Sequence, residues 1–169
     1  MGAPAWRERR RFRLPLGGRS APRGGTRDQL TGFLQRGAFE AVATYALRRS
    51  RSLEEPTGVV CVVVDHEASA PGEVDQLGLK HVAEVLSHNV RGEDVLGRIG
   101  ANELCALLPG VGESDTKEVA RRLDGALAPG GPSIAFLRPG IGWAVMDSWG
   151  ASLEEDLRDL VRRARDGAS

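Results

Sequence analysis

NVRGEDVLGRIGANELCALLPG, Asn89 to Gly110, is the stretch from which the fold can be read. Val95 to Ile99 and Leu104 to Leu108 are two short apolar runs on either side of a polar turn, Gly100-Ala101-Asn102. Pro109-Gly110 closes the second run. Apolar runs of this length, separated by a few turn-forming residues, predict a β-hairpin. Just upstream, an Arg-x-x-Asp pair (Arg91, Asp94) sits in the charged loop that leads into the first strand.

Working outward, apolar residues recur at helical spacing on both sides of the hairpin. Leu79, Val82, Ala83, Leu86 and Val90 form one stripe before it. Thr116, Val119, Ala120, Leu123 and Leu127 form another after it, with Ser114 as the predicted N-cap. His81, Glu84 and His88 fall on the polar side of the first of these helices, which reads as a solvated face. Nearer the N-terminus, Phe39, Val42, Ala43, Ala46 and Leu47 give a third helical face. VVCVVVD, Val59 to Asp65, is an unbroken β-branched run and predicts a central strand buried on both sides. Ser133 to Leu137 and Ile141 to Met146 read as two further strands. Ser152-x-x-Glu155 is a capping box that opens a last helix, with Leu153, Leu157, Leu160, Val161 and Ala164 on its inner face. Helices and strands interleave, so the fold class is α/β.

Composition sets outer limits. The 169 residues are 41% hydrophobic and 27% charged with zero net charge, as expected of a soluble globular domain with a proper core. The charge is unevenly spread. Residues 1–27 hold eight Arg and one Glu, and so carry +7; the remainder carries −7. Residues 1–26, rich in Arg, Gly and Pro and without periodicity, predict a disordered basic arm, and 27–169 a single domain. Nucleic acid or acidic lipid is the alternative use of that arm, with Trp6 and Phe12 among its arginines. Cys61 and Cys105 each lie in an apolar run and read as buried thiols of a reducing compartment. No run reaches the ~20 apolar residues of a membrane helix. The RERRRF opening is followed by Pro15, Gly17 and Gly18, not by the apolar core of an export signal. A cytoplasmic location follows as the expectation.

Several short motifs, in order, resemble those of GGDEF domains, the bacterial diguanylate cyclases. Asp28, Leu30, Thr31, Gly32 and Arg36 match the family's D-x-L-T-G-L-x-N-R opening. Asp65 matches its magnesium-binding carboxylate; the alternative for Asp65 is a turn cap at a strand end. Gly100-Ala101-Asn102-Glu103-Leu104 keeps two letters of the five-residue signature, and Gly140-Ile141-Gly142-Trp143-Ala144 resembles the late S-I-G-V-A strand. The resemblance covers residues 27 to about 166 and implies a central, mostly antiparallel sheet flanked by helices.

The departures bear on function. After Asp65 the chain reads HEASAPGEVDQLGLK, lacking the family's phosphate-contacting Lys, guanine-reading Asn and Gly-His. The second guanine-binding Asp falls at Gln76, with Asp75 one place away. The late phosphate-contacting Lys is also absent. Making a phosphodiester from GTP requires acidic side chains that hold magnesium and backbone free to approach the nucleotide. Ala101 replaces the second Gly of the signature; a left-handed backbone there would cost about 1–2 kcal/mol. Asn102 replaces an acid, and only Glu103 and Asp65 remain as a vestigial metal pair. The expectation is therefore a domain that is not an enzyme and requires no cofactor, Mg2+ entering only if cyclase activity or GTP binding persists.

A second site is better kept. Arg91 and Asp94 match the family's R-x-x-D product-binding inhibitory site, and Arg122 matches a further Arg used there. Arg pairs bidentately with phosphate or the guanine O6/N7 edge, while Asp accepts from the guanine N1–H and N2–H₂ edge. Two or three such bonds at about 1.5–3 kcal/mol each, with stacking, reach micromolar binding at about −8 kcal/mol. The expectation is a sensor or regulatory domain for cyclic di-GMP, acting on a protein partner, with homodimerisation open. A nucleotide-independent interaction domain, in which Arg91–Asp94 is an ordinary ion pair, is the alternative, and a diguanylate cyclase with residual GTP binding or activity is a second.

Overall fold

β1 (Leu34–Gln35), β2 (Thr57–His66), β3 (Val95–Arg98), β4 (Glu103–Pro109) and β5 (Leu137–Met146) form one sheet in the order β1-β3-β4-β2-β5. The computed structural model describes residues 26–66, 72–128 and 137–168. β1 runs parallel to β3; every other pairing is antiparallel. The mixed α/β architecture expected from the sequence is the one observed.

β2 lies inside the sheet, between β4 and the edge strand β5, and its alternation divides the core in two. Val60, Val62 and Val64 pack with Leu104, Ala106 and Leu108 of β4 on one face. That face is covered by α2 (Gly72–Asn89) and α3 (Glu113–Leu127), through Leu79, Val82, Leu86, Leu123 and Leu127. Val59 and Cys61 of β2, with Cys105 and Leu107 of β4, face the other way. They meet α1 (Arg36–Ser52) and α4 (Leu153–Asp166) through Phe39, Leu47, Leu157 and Leu160. A strand covered on both faces has no polar side, which is why β2 is a continuous β-branched run. Each fully buried Leu or Val contributes about 1.5–3 kcal/mol.

All five residues of the stripe read for α3 are buried. Ser152 caps α4 as expected, accepting from the Glu155 amide. Three readings are corrected, and one strand was not read. Ser114 is not an N-cap: α3 begins at Glu113 after Gly112, and no side chain caps it. Instead Glu113 and Asp115 offset the positive end of the helix dipole. Residues 137–146 are one strand that runs through Pro139 and Gly140, pairing with β2 from Leu137 to Met146. β1, only two residues long, carries no periodic signal of its own and exists through its pairing with β3. The third correction concerns the cysteines. Cys61 and Cys105 stand directly opposite each other on β2 and β4, with Cα atoms 4.3 Å apart, and are joined by a disulfide. Two separate buried runs concealed a register that brings them together, and the pairing removes the support that free thiols lent to a reducing compartment. The basic arm read for residues 1–26 lies outside the described residues, apart from Thr26, and so do residues 133–136.

Candidate functional site

β4 carries a candidate site at each end. At its Pro109 end, the junction between α2 and β3 is tied together by arginines. The Arg91 amide donates to Asp94 Oδ2 at 2.6 Å, and Arg91 Nη2 donates both to Asp94 Oδ1 and to the Pro109 carbonyl, each at 3.0 Å. Arg91 Nη1 lies 3.1 Å from Glu93 Oε1. From α3, Arg122 Nη2 donates to the Asn89 carbonyl at 3.0 Å, at the C-terminal end of α2. The three residues named from the sequence are thus gathered around one junction.

Their roles in that junction differ from the expectation in one respect. The Asp94 side chain is 2% exposed and that of Arg91 11%. Both Asp94 oxygens accept from Arg91, so this carboxylate positions the arginine and does not present a free edge to solvent. Burial pushes the Asp94 carboxyl above its ordinary value, Arg91 pulls it back, and Glu93 adds to the rise; the net direction is upward. Glu93 and the Asn89 and Pro109 carbonyls were not legible as part of this site. Two are backbone groups, which any residue type carries, and Glu93 meets Arg91 within a turn, where no helical or strand periodicity marks the pair.

At the Glu103 end, the hairpin closes through Ile99 N–H to the Glu103 carbonyl at 2.9 Å. The Asn102 carbonyl accepts from Val64 N–H at 2.9 Å and so extends the β4–β2 ladder past Glu103. Arg98 holds the turn from outside. Its Nη2 donates to the Ala101 carbonyl at 2.7 Å and its Nη1 to Asp28 Oδ1 at 2.8 Å. Asp28 also accepts from the Thr31 amide and hydroxyl. Partial burial raises the Asp28 pKa, but the hydrogen bonds from Thr31 and Arg98 outweigh it and hold the carboxyl below its ordinary range. The motif around Asp28 is therefore a clamp on the hairpin as well as the start of a helix.

Ala101 is not left-handed: among the described non-glycine residues only Glu54 has positive φ. The turn accepts Ala without backbone strain. Gly100 is the constrained position, because a Cβ there would lie 2.9 Å from the Glu103 carboxylate. Glu103 Oε2 in turn lies 3.7 Å from Arg165 Nη1 on α4. Asp65 follows on β2, its backbone opposite Arg138 of β5, and its side chain lies outside the description. The Asp75 side chain does so too, whereas Gln76 is exposed on α2. Of the two carboxylates read as a metal pair, Asp65 and Glu103, only the Glu103 side chain is described. Glu103 faces a guanidinium, Asn102 brings no charge, and no cluster of three His, Cys, Asp or Glu side chains able to hold a metal occurs among the described residues. No helix among the described residues is long and apolar enough to cross a membrane.

An antiparallel hairpin in a five-stranded sheet between two helical layers, with an arginine-held junction at its far end, defines a nucleotide-cyclase-like class of domain. The model of the family described as diguanylate cyclase, GGDEF domain, matches residues 26–165, and the chain belongs to that family. The solved FimX GGDEF domain from Pseudomonas aeruginosa is similar over 86% of this chain and 94% of its own, at 20% identity and a TM-score of 0.71. The GGDEF domain of DgcB from Caulobacter crescentus, solved in complex with c-di-GMP, aligns over 87% and 90% at 16% identity and a TM-score of 0.73. The active GGEEF domain of a diguanylate cyclase from Vibrio cholerae aligns over 79% and 87% at 16% identity and 0.66. At these identities the likeness is one of fold.

Proposed function

We propose that this chain is a GGDEF domain without cyclase activity that binds cyclic di-GMP at the α2–β3 junction and acts as a regulatory domain. The observation that carries the reading is the convergence of Arg91 and Arg122, from different elements, on one junction. Guanidinium groups suit phosphate and the guanine O6/N7 edge. Asp94 takes the role of holding Arg91 in register. DgcB's GGDEF domain, of the same fold, was solved with c-di-GMP. Loss of cyclase activity is supported by Ala101 and Asn102 in the turn and by Arg165 beside Glu103, which leaves that carboxylate facing a cation of the chain itself.

Isothermal calorimetry with cyclic di-GMP tests the reading. Wild type is expected to bind in the micromolar range, with Arg122→Ala weakening binding about tenfold or more, the loss of one charge-assisted contact. Arg91→Lys, which keeps the charge for Asp94 but not the fork, is expected to do the same. Absence of heat from wild type overturns the proposal. Cyclic di-GMP formed from GTP and magnesium, and abolished by Glu103→Gln, overturns the loss of activity.

A further inference from the structure

β5 is the strand at one edge of the sheet. The other edge strand, β1, spans two residues and offers little to pair with. Which groups of β5 point outward follows from the register. Val64 N–H donates to the Asn102 carbonyl on the β4 side, so the even-numbered residues of β2 address β4 and the odd-numbered ones, Thr57 to Asp65, address β5. Their partners on β5 are the even-numbered residues Arg138 to Met146. The backbone groups of Pro139, Ile141, Trp143 and Val145 therefore point away from the sheet, Pro139 supplying only its carbonyl. Arg163 Nη1 donates to the Val145 carbonyl at 3.2 Å. Among the described residues none bonds to the other outward groups. Edges are ordinarily blunted by charge, shortness or bulges, yet Pro139 to Met146 carry no charged side chain.

The pattern left open is self-complementary. When a second β5 is set antiparallel about Gly142, Ile141 falls opposite Trp143 and Pro139 opposite Val145. Ile141 N–H then meets the Trp143 carbonyl, Trp143 N–H the Ile141 carbonyl, and Val145 N–H the Pro139 carbonyl, each bond made twice by the symmetry. The acceptor that this pairing leaves without a donor is the Val145 carbonyl, because Pro139 has no N–H. That is the carbonyl Arg163 holds within its own chain. The side chains agree. Ile141 and Trp143 are half-buried against the core on the α3 face of the sheet, and the pairing sets each beside the other's copy as a β-branched–aromatic cross-strand pair. At the axis Gly142 meets its own copy at the narrow, non-hydrogen-bonded spacing, and neither brings a side chain. We propose that this edge is a homodimer interface, in which β5 pairs with β5 of a second copy and joins the two sheets into one. The interface shares no residue with the α2–β3 junction, so it stands whether or not cyclic di-GMP binds there.

Sedimentation velocity of the full chain, from low micromolar to millimolar concentration, is expected to show a monomer–dimer equilibrium. Amide exchange followed by NMR over the same range locates the contact. The Ile141, Trp143 and Val145 amides are expected to gain about tenfold protection or more as dimer forms. The Gly142 and Ala144 amides, which face β2, are expected to be protected throughout. Val145→Pro removes an outward N–H and no bond to β2, and is expected to weaken the dimer about tenfold or more. An unchanged circular dichroism spectrum checks that this variant folds; if it does not, amide exchange of the wild type decides. A chain that stays monomeric in the millimolar range overturns the proposal and leaves the edge to an extended segment of another protein. A dimer whose formation leaves the Ile141, Trp143 and Val145 amides unchanged overturns it too, as does one that a folded Val145→Pro does not weaken.

Discussion

Asp94, at the Pro109 end of β4, is 2% exposed, and both of its oxygens accept from one arginine. Glu103, at the other end, is 29% exposed, and its nearest cation is 3.7 Å away. One strand therefore carries a desolvated, fully bonded charge pair at one end and a loosely held carboxylate at the other. The difference shows how charge is used in each place. A buried carboxylate stripped of its partner is costly, so the Pro109 end is bound to keep its geometry. The Glu103 end can change residues at little cost to the fold, and Ala101 sits there without strain.

The sharpest way to break this comparison is Arg91→Ala. It leaves Asp94 buried and unpaired, and should destabilise the domain by about 3–5 kcal/mol in urea unfolding. A loss below that of Arg98→Ala would reverse the ranking of the two ends. Midway along β4, replacing Cys61 and Cys105 together by Ala should cost about 2–4 kcal/mol, since their bond closes a 44-residue separation. Thiol titration of the denatured wild type should find neither cysteine free; two free thiols would remove this contribution. At the Glu103 end, Arg98→Ala releases Asp28 and the Ala101 carbonyl, at an expected cost of about 1–3 kcal/mol. Gly100→Ala is the mildest, at about 1 kcal/mol, because its new Cβ lies 2.9 Å from the Glu103 carboxylate, which can turn away, and 3.1 Å from Glu103 Cβ, which must give by a few tenths of an ångström.

Acid should separate the ends by sign as well as size. The Asp28 pKa is lowered in the folded state, so its contribution is present above the ordinary carboxylate value of 3.8 and is lost as pH falls through the folded pKa. The Asp94 pKa is raised, so its contribution is greatest below 3.8 and is lost as pH rises through the folded pKa. Relative to Asp28→Asn, wild type should lose advantage on acidification; relative to Asp94→Asn, it should gain. Parallel slopes for the two variants would refute the contrast.

Local pattern accounts for what the sequence alone determined. The helical stripes, the β-branched run of β2 and the polar turn at 100–102 report burial and backbone preference within a few residues, and these put the helices, the central strand and the hairpin in their places. Arg91, Asp94 and Arg122 could be picked out because their types and spacing match a family pattern. Only the tertiary structure decided what these groups touch. The register of β2 on β4 brings Cys61 to Cys105, and Arg98 reaches Asp28 across 70 positions. The packing of α4 beside the hairpin brings Arg165 to within 3.7 Å of Glu103. Partners distant in the chain leave no period in the sequence, and a carbonyl such as that of Pro109 leaves no residue type to recognise. Asp94 therefore reads as a ligand group along the chain, and becomes the support of an arginine once the chain is folded.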